Sequence, residues 1–292
     1  IILIMAYLNA PLFYKFDKSL VENKICKNIN IKCKIQGNVK YNFFPTPRLN
    51  IKNLLIYDIV NENKKLGISK NITIKFSLFN LTNKEKIQIK KIELSNAIFN
   101  FTLKDFKKYR NFYEKKFYSK PISIKKSKIV FNDGKKDITT IDNINFKYEF
   151  SKESQDGVLK GFFLGDKIVL KYSKKKDNNT NFVLKFLNSK VLTKINLFSK
   201  DEKKNELNGN VLFKKNKTRF RSIFSYRDNQ ITFSQSDIRN SFLTGKIDGQ
   251  LNFLPYFNFN LNVDLNGINL NKFSTFLSSL KENQRKSLLK VN

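Results

Sequence analysis

The chain has no histidine and no tryptophan, and only two cysteines. Without histidine there is no imidazole general base, no Ser-His-Asp triad and no His-ligated zinc. Cys26 and Cys33 cannot by themselves supply the four ligands of a structural metal site. They either pair across a helix-turn-strand reversal in an oxidising compartment or stay as two buried thiols. Phosphate-binding motifs are missing too: Gly161-Phe-Phe-Leu-Gly165 lacks the Lys-Ser/Thr pair and the helix that a P-loop needs. The carboxylates are scattered and no serine has a base beside it in a motif, so the chain is not expected to be an enzyme, and no cofactor or metal is expected. Acid is scarce as well, with 24 Asp and Glu against 56 Lys and Arg and a net charge of +32. That balance points to nucleic acid or an anionic membrane. Lysine carries most of it, whereas arginine, whose planar fork matches guanine and phosphate, is sparse. Together with abundant Asn, Ile, Phe and Tyr, this is the composition that AT-rich coding produces, and no specific nucleic-acid partner is expected.

What the chain has in quantity is alternation. Ile29, Ile31, Cys33 and Ile35 alternate with polar residues, as do Ile72, Ile74, Phe76 and Leu78, and Ile144, Phe146, Tyr148 and Phe150. A period of two with one apolar face is the signature of a half-buried strand. Further runs cover 87–101, 122–131, 159–164, 168–172, 182–187, 191–198, 207–213, 220–226, 231–235 and 247–253. The clearest is Phe257, Phe259, Leu261, Val263 and Leu265, interleaved with Asn and Asp. Short polar turns such as Asn132-Asp133-Gly134 separate the runs, which favours hairpins and an antiparallel sheet. Helical spacing occurs in three places only: Phe16 to Cys26, with Phe16, Leu20 and Ile25 near one face; 105–116, with Phe106, Tyr109 and Tyr113; and 271–282, with Phe273, Phe276, Leu277 and Leu280. The expected fold is therefore mainly β: an extended, twisted, mostly antiparallel sheet curling into an open groove, with an N-terminal amphipathic helix and two short helices.

One stretch has a more particular form. Gly37 opens it; Val39, Tyr41 and Phe43 alternate with polar residues; Pro45-Thr-Pro47 breaks the ladder, because proline has no N–H to give; Leu49, Ile51 and Leu55 resume the pattern. This stretch resembles the opening of the AsmA family, and residues 257–280, an apolar-Asn alternation running into a short helix, are similar to a second recurrent feature of such chains. The likeness covers 15–100 and 243–280 best; 101–121 follows no family pattern. The resemblance implies an inner-membrane-anchored protein of Gram-negative bacteria whose bulk lies in the periplasm. It implies a chorein-type N-terminal region, a part in outer-membrane biogenesis and lipid transport between membranes, and phospholipid, membrane and outer-membrane assembly proteins as partners.

On this reading residues 1–14, which begin with the apolar run IILIMAYL, are the end of a truncated signal anchor, with a cleavable signal peptide as the competing reading. Residues 15–120 form the AsmA-like β region, and 121–292 continue the sheet and are expected to be truncated at the C-terminus. Every one-faced strand must bury its apolar side. It does so against a second sheet, as a closed sandwich acting as an interaction module for outer-membrane protein assembly, or by curling around acyl chains. The lipid-groove candidates are Ile72, Ile74, Phe76, Leu78, Phe146, Tyr148, Phe257, Phe259, Leu261 and Val263. At about 4.8 Å per strand, a sheet of about fourteen strands would extend on the order of 65 Å.

Overall fold

In a computed structural model of the chain, the described residues are 2–26, 31–59, 61, 63–105, 108–109, 121–151, 153–175, 179–201, 206–228, 230–252 and 258–278. The chain is mainly β. Helices α1 (Ile2–Asn9) and α2 (Lys18–Cys26) come first. Strands β1 (Cys33–Ile35), β2 (Val39–Asn42), β3 (Arg48–Tyr57), β4 (Lys65–Phe76), β5 (Ile89–Thr102), β6 (Ile122–Asn132), β7 (Asp137–Phe150) and β8 (Ser154–Phe163) follow. Then come β9 (Asp166–Lys175), β10 (Thr180–Phe186), β11 (Val191–Asp201), β12 (Glu206–Lys215), β13 (Thr218–Arg227), β14 (Gln230–Arg239), β15 (Leu243–Asn252) and β16 (Asn258–Ile268). The last helix, α3, covers 270–278.

All sixteen strands belong to one open, twisted sheet whose spatial order is almost the sequence order, β1-β3-β4 through to β16, with β2 also beside β3. The strands therefore do not divide into the two facing sheets of a sandwich. The pairing of β5 with β6 is parallel, Ile92 opposite Ile122 and Phe101 opposite Phe131, which makes the sheet mixed. The chain forms two compact units, Ile1–Val169 and Leu170–Asn292. The boundary falls within β9.

Unit 1 has a helix-covered core. Val21 and Ile25 of α2 lie over Leu49 and Ile51 of β3, Ile72, Ile74 and Phe76 of β4, and Ile92 and Leu94 of β5, all buried. Of the two states open to the cysteines, the paired one is found: Cys26, at the end of α2, and Cys33, at the start of β1, form a disulfide with Cα atoms 6.1 Å apart. The Glu22 carboxylate adds a second tie by accepting from the Ile35 N–H at 2.6 Å. Of the helix expected over 105–116, residues 106–107 and 110–116 lie outside the described residues. Tyr109 is described: its ring meets Phe101 edge-on at 5.3 Å, and its hydroxyl donates to Asp58 at 2.7 Å. Burial, and then this bond to a carboxylate, push the phenol up from its ordinary pKa.

Unit 2 is a single sheet layer. Among its described apolar residues only Phe224 is buried. Helix α3 starts one residue before the expected 271. Asn269 caps it, its side-chain oxygen accepting from the Lys272 N–H at 3.0 Å, and Phe273 and Phe276 lean on Phe242 at 5.6 and 5.0 Å.

Both units carry positive-φ residues, some of them at β-bulges, where the apolar alternation slips phase. In unit 1 Asn53, Asn96, Lys126 and Asn143 have positive φ. They sit at one level across β3, β5, β6 and β7: beside Lys126 and Asn143 the register shifts as a bulge requires, whereas at Asn53 and Asn96 the register is kept and only the pairing is interrupted. A bulge bends its strand and raises the local twist. Each also breaks the ladder, and buried serines mend it. Ser69 donates to the Asn71 carbonyl at 3.1 Å; Ser127 donates to the Lys125 carbonyl at 2.8 Å and accepts from the Ala97 N–H at 3.0 Å. Unit 2 repeats the device at Gln235: Ser222 donates to the Ser234 carbonyl at 3.1 Å, and Ser236 accepts from the Ile247 N–H at 2.6 Å. These four serines are at most 3 % exposed, and the bonds explain why hydroxyls are placed inside an apolar surface.

Candidate functional site

Residues directly opposite in a ladder carry their side chains on the same face. In unit 1 the register therefore strings two apolar rows across seven strands. One runs Tyr41, Leu49, Ile74, Ile92, Ile122, Tyr148, Gly157; the other Val39, Ile51, Ile72, Leu94, Ile124, Phe146, Leu159. Four of the sequence-derived candidates, Ile72, Ile74, Phe146 and Tyr148, thus share one face, but not one environment. Ile72, Ile74 and Phe76 are core residues beneath α2, where only a cavity of 40 Å³ remains between helix and sheet. Leu78 lies beyond the end of β4 and is exposed. Past β5 the same face opens into a cavity of 220 Å³ with Phe99, Phe101, Ile124, Ile144, Phe146 and Leu159 among its lining. Phe146 lines it half-buried, while Tyr148 is buried.

The residues on which the AsmA resemblance rests sit at the helix-covered end of unit 1. Gly37 lies between β1 and β2 where this edge passes Lys52 and Asn53, its N–H donating to the Lys52 carbonyl at 3.1 Å; a Cβ there would stand 2.5 Å from that oxygen. Leu49 and Ile51 are core. Pro45 and Pro47 shape the turn into β3, where the Pro47 carbonyl accepts from the Phe76 N–H at 2.9 Å. Tyr41 donates to the Leu8 carbonyl at 2.7 Å, and burial pushes its phenol up to about 12.

In unit 2 the register builds a second apolar face. Leu184, Thr193, Phe213, Phe220, Ile238, Gly245 and Leu265 form one row; Leu207, Tyr226, Ile231, Leu251 and Phe259 form another. Between them run Leu197, Gly209, Phe224, Phe233, Gly249 and Leu261. Phe220 and Phe233 meet edge-on at 5.8 Å. The opposite face is polar, with cross-strand bonds Asn196–Asn210 at 2.9 Å and Gln230–Gln250 at 2.6 Å. Phe259 and Val263, at 61 % and 55 % exposed, stand on the open apolar side, and Leu261 is half-buried. Phe257 lies outside the described residues.

Two features of the site escaped the alternation pattern. The cover by α2 did, because the helix is short and its apolar residues do not state which strands they meet. The positive-φ positions did, although an asparagine at a phase slip (Leu94-Ser95-Asn96-Ala97, or Ile141-Asp142-Asn143-Ile144) is a usable signal, since Asn tolerates positive φ.

Charge near the site is concentrated at the ends of β4 and β5. Glu93 accepts from Lys75 at 3.1 Å and lies 3.0 Å from Lys91. Burial raises the Glu93 carboxyl, but the hydrogen bonds from Lys91 and Lys75 outweigh it and hold the group below its ordinary 4.5. A carboxyl depressed by folding stabilises fully above its unfolded value, and that stabilisation is lost as pH falls through the folded value. Thermal melts of wild type and Glu93→Gln should therefore differ at pH 7 and converge below about pH 4. An unchanged gap at low pH would refute the clamp. Among the described residues no three acidic or cysteine side chains gather as a metal site would require.

No protein-family model and no curated protein matches this chain. No described helix is long and apolar enough to cross a membrane.

Proposed function

We propose that this is an AsmA-type carrier that holds phospholipid acyl chains against the apolar face of its sheet, in the periplasm, and so supports outer-membrane biogenesis. The observation that carries the reading is the unit 2 face: six adjoining strands, β11 to β16, present an apolar side on which, among the described residues, Phe224 is the only large side chain that is buried. A contiguous apolar surface of that kind is costly in water and marks a binding surface. Acyl chains suit it because they need no hydrogen bonds, and the face offers rows of Phe, Leu and Ile with few polar groups. Unit 1 adds the cavity past β5, lined in the same way. The Gly37-to-Ile51 stretch and the apolar-Asn strand β16 supply the family resemblance.

Native mass spectrometry of the purified chain tests this, on wild type and Phe259→Asp. Phe259 is exposed enough for a carboxylate there to stay hydrated, so the variant should keep its fold. The expected result is phospholipid bound to the wild type and reduced at least several-fold in a variant whose far-UV spectrum is unchanged. A wild type that carries no lipid would overturn the carrier reading. It would favour instead a non-transporting module that pairs with outer-membrane assembly proteins through the outer edge of β16, the last strand in the sheet order.

A further inference from the structure

The end of unit 1 where α1 begins carries an apolar surface built from three separate segments. Ile2, Leu3, Ile4 and Met5 of α1 and Leu12 and Phe13 after it are exposed. So is Phe44, at 75 %, in the turn before β3, and so are Leu78 and Phe79, at 56 % and 76 %, in the loop after β4. These tips are fastened to one another. The Tyr7 hydroxyl donates to the Leu78 carbonyl at 2.8 Å and accepts from the Leu81 N–H at 3.2 Å; Tyr14 donates to the Leu81 carbonyl at 3.0 Å. Arg48 donates to the Phe44 carbonyl, and the Phe76 N–H ties the end of β4 to Pro47. An open cavity of 750 Å³ lies between the turn before β3 and the loop after β4, lined by Thr46, Leu78, Phe79 and Pro121 together with Lys75, Lys90 and Lys91.

We propose that this end seats in the interface of an anionic bilayer, with Phe44, Leu78 and Phe79 entering the acyl boundary beside α1. Three features select a lipid surface over a protein groove as the occupant. The apolar side chains project from three separate segments, so no single complementary ridge covers them. The charged residues that line the cavity are cationic, Lys75, Lys90 and Lys91, with Glu93 held between two of them, and Arg48 is tied to the Phe44 turn. Long basic side chains reach from an apolar surface to headgroup phosphates. Tyr7 and Tyr14, amphipathic rings of the kind enriched at membrane interfaces, tie the tips together. The inference goes beyond the carrier reading and does not depend on it: a protein that carries no lipid along its sheet could still seat this end in a bilayer.

The absence of tryptophan makes the test site-specific. Phe79→Trp in the full chain places the only indole at one tip. Vesicles containing phosphatidylglycerol should shift its emission to the blue, and brominated acyl chains should quench it. Vesicles of phosphatidylcholine alone, or added salt, should weaken the response at least several-fold. Phe44→Asp added to Phe79→Trp should weaken vesicle binding about tenfold, with an unchanged far-UV spectrum. If the protein floats with the vesicles while the indole stays unshifted and unquenched, α1 or the sheet face binds without the loops and the proposal fails. It fails too if anionic and neutral vesicles act alike. Lipid co-purification, read separately by mass spectrometry, bears on the carrier reading and not on this one.

Discussion

Ile72→Asp is expected to unfold unit 1, whereas Phe259→Asp leaves unit 2 folded. Ile72 is 1 % exposed, opposite Ile51 on one side and Leu94 on the other, beneath Val21 and Ile25 of α2. Aspartate there loses the transfer free energy of the isoleucine side chain and leaves a partial cavity, together about 3 kcal/mol. It also either buries an unpaired carboxylate or protonates it, which adds several kcal/mol more. The sum is comparable with the whole stability of a typical domain, about 5–15 kcal/mol. Urea titration followed by circular dichroism should show the first cooperative transition displaced to low denaturant or lost. A midpoint within about 0.3 M of wild type, for a typical slope of about 2 kcal/mol/M, would mean that the helix-covered core is not closed. Identical chemistry at two apolar strand positions thus has opposite expected outcomes, and the difference is the presence or absence of a covering helix.

The second large effect is expected at Gly249→Val. Gly249 has φ +142°, and a Cβ there would stand 2.1 Å from the Asn260 carbonyl oxygen and 2.9 Å from the Leu261 Cα. Both neighbours are backbone, so nothing can swing aside. Unfavourable φ costs roughly 1–3 kcal/mol and forced overpacking about as much again, so a loss of about 3–5 kcal/mol is expected. Hydrogen exchange should report it as lost protection of β16, whose pairing with β15 runs past this residue. Gly267→Ala is the control in the same hairpin: the nearest atom to its Cβ is the Thr244 Oγ1 at 3.7 Å, and protection should be unchanged. Equal protection in both variants would contradict the close approach.

Much of this architecture was legible in the residues because a period of two is a local signal. The Phe259-Leu261-Val263 alternation states that a strand is there and which side is apolar, and the strand is β16. Its fate needs more than the strand. Ile72 and Phe259 have the same pattern, yet one lies under α2 and the other faces outward, and the covering helix is about fifty residues from Ile72 in the chain. The parallel joint of β5 and β6 was hidden for a related reason. The hairpin rhythm favours antiparallel neighbours, and nothing in Ile122 or Ile124 marks the exception. Cys26 and Cys33 were open between pairing and two thiols, and only the position of β1 beside α2 decides it. The serines of the bulges look unremarkable in sequence, because a hydroxyl that mends a broken ladder is identified by the carbonyl it reaches.

The near-sequential strand order has a consequence for how this chain folds. Almost every ladder joins neighbours in sequence, so each strand can add to the previous one with a short loop to close, and loop-closure entropy stays small at each step. The β5–β6 joint is different: a parallel ladder whose strands are connected through residues 103–121. Here the chain must close its longest connection before the first ladder bond forms. Zippering from either side is therefore expected to pause at this joint, and a chain emerging from its N-terminus can complete α1 through β5, with the disulfide and the helix-covered core, before the rest has been synthesised.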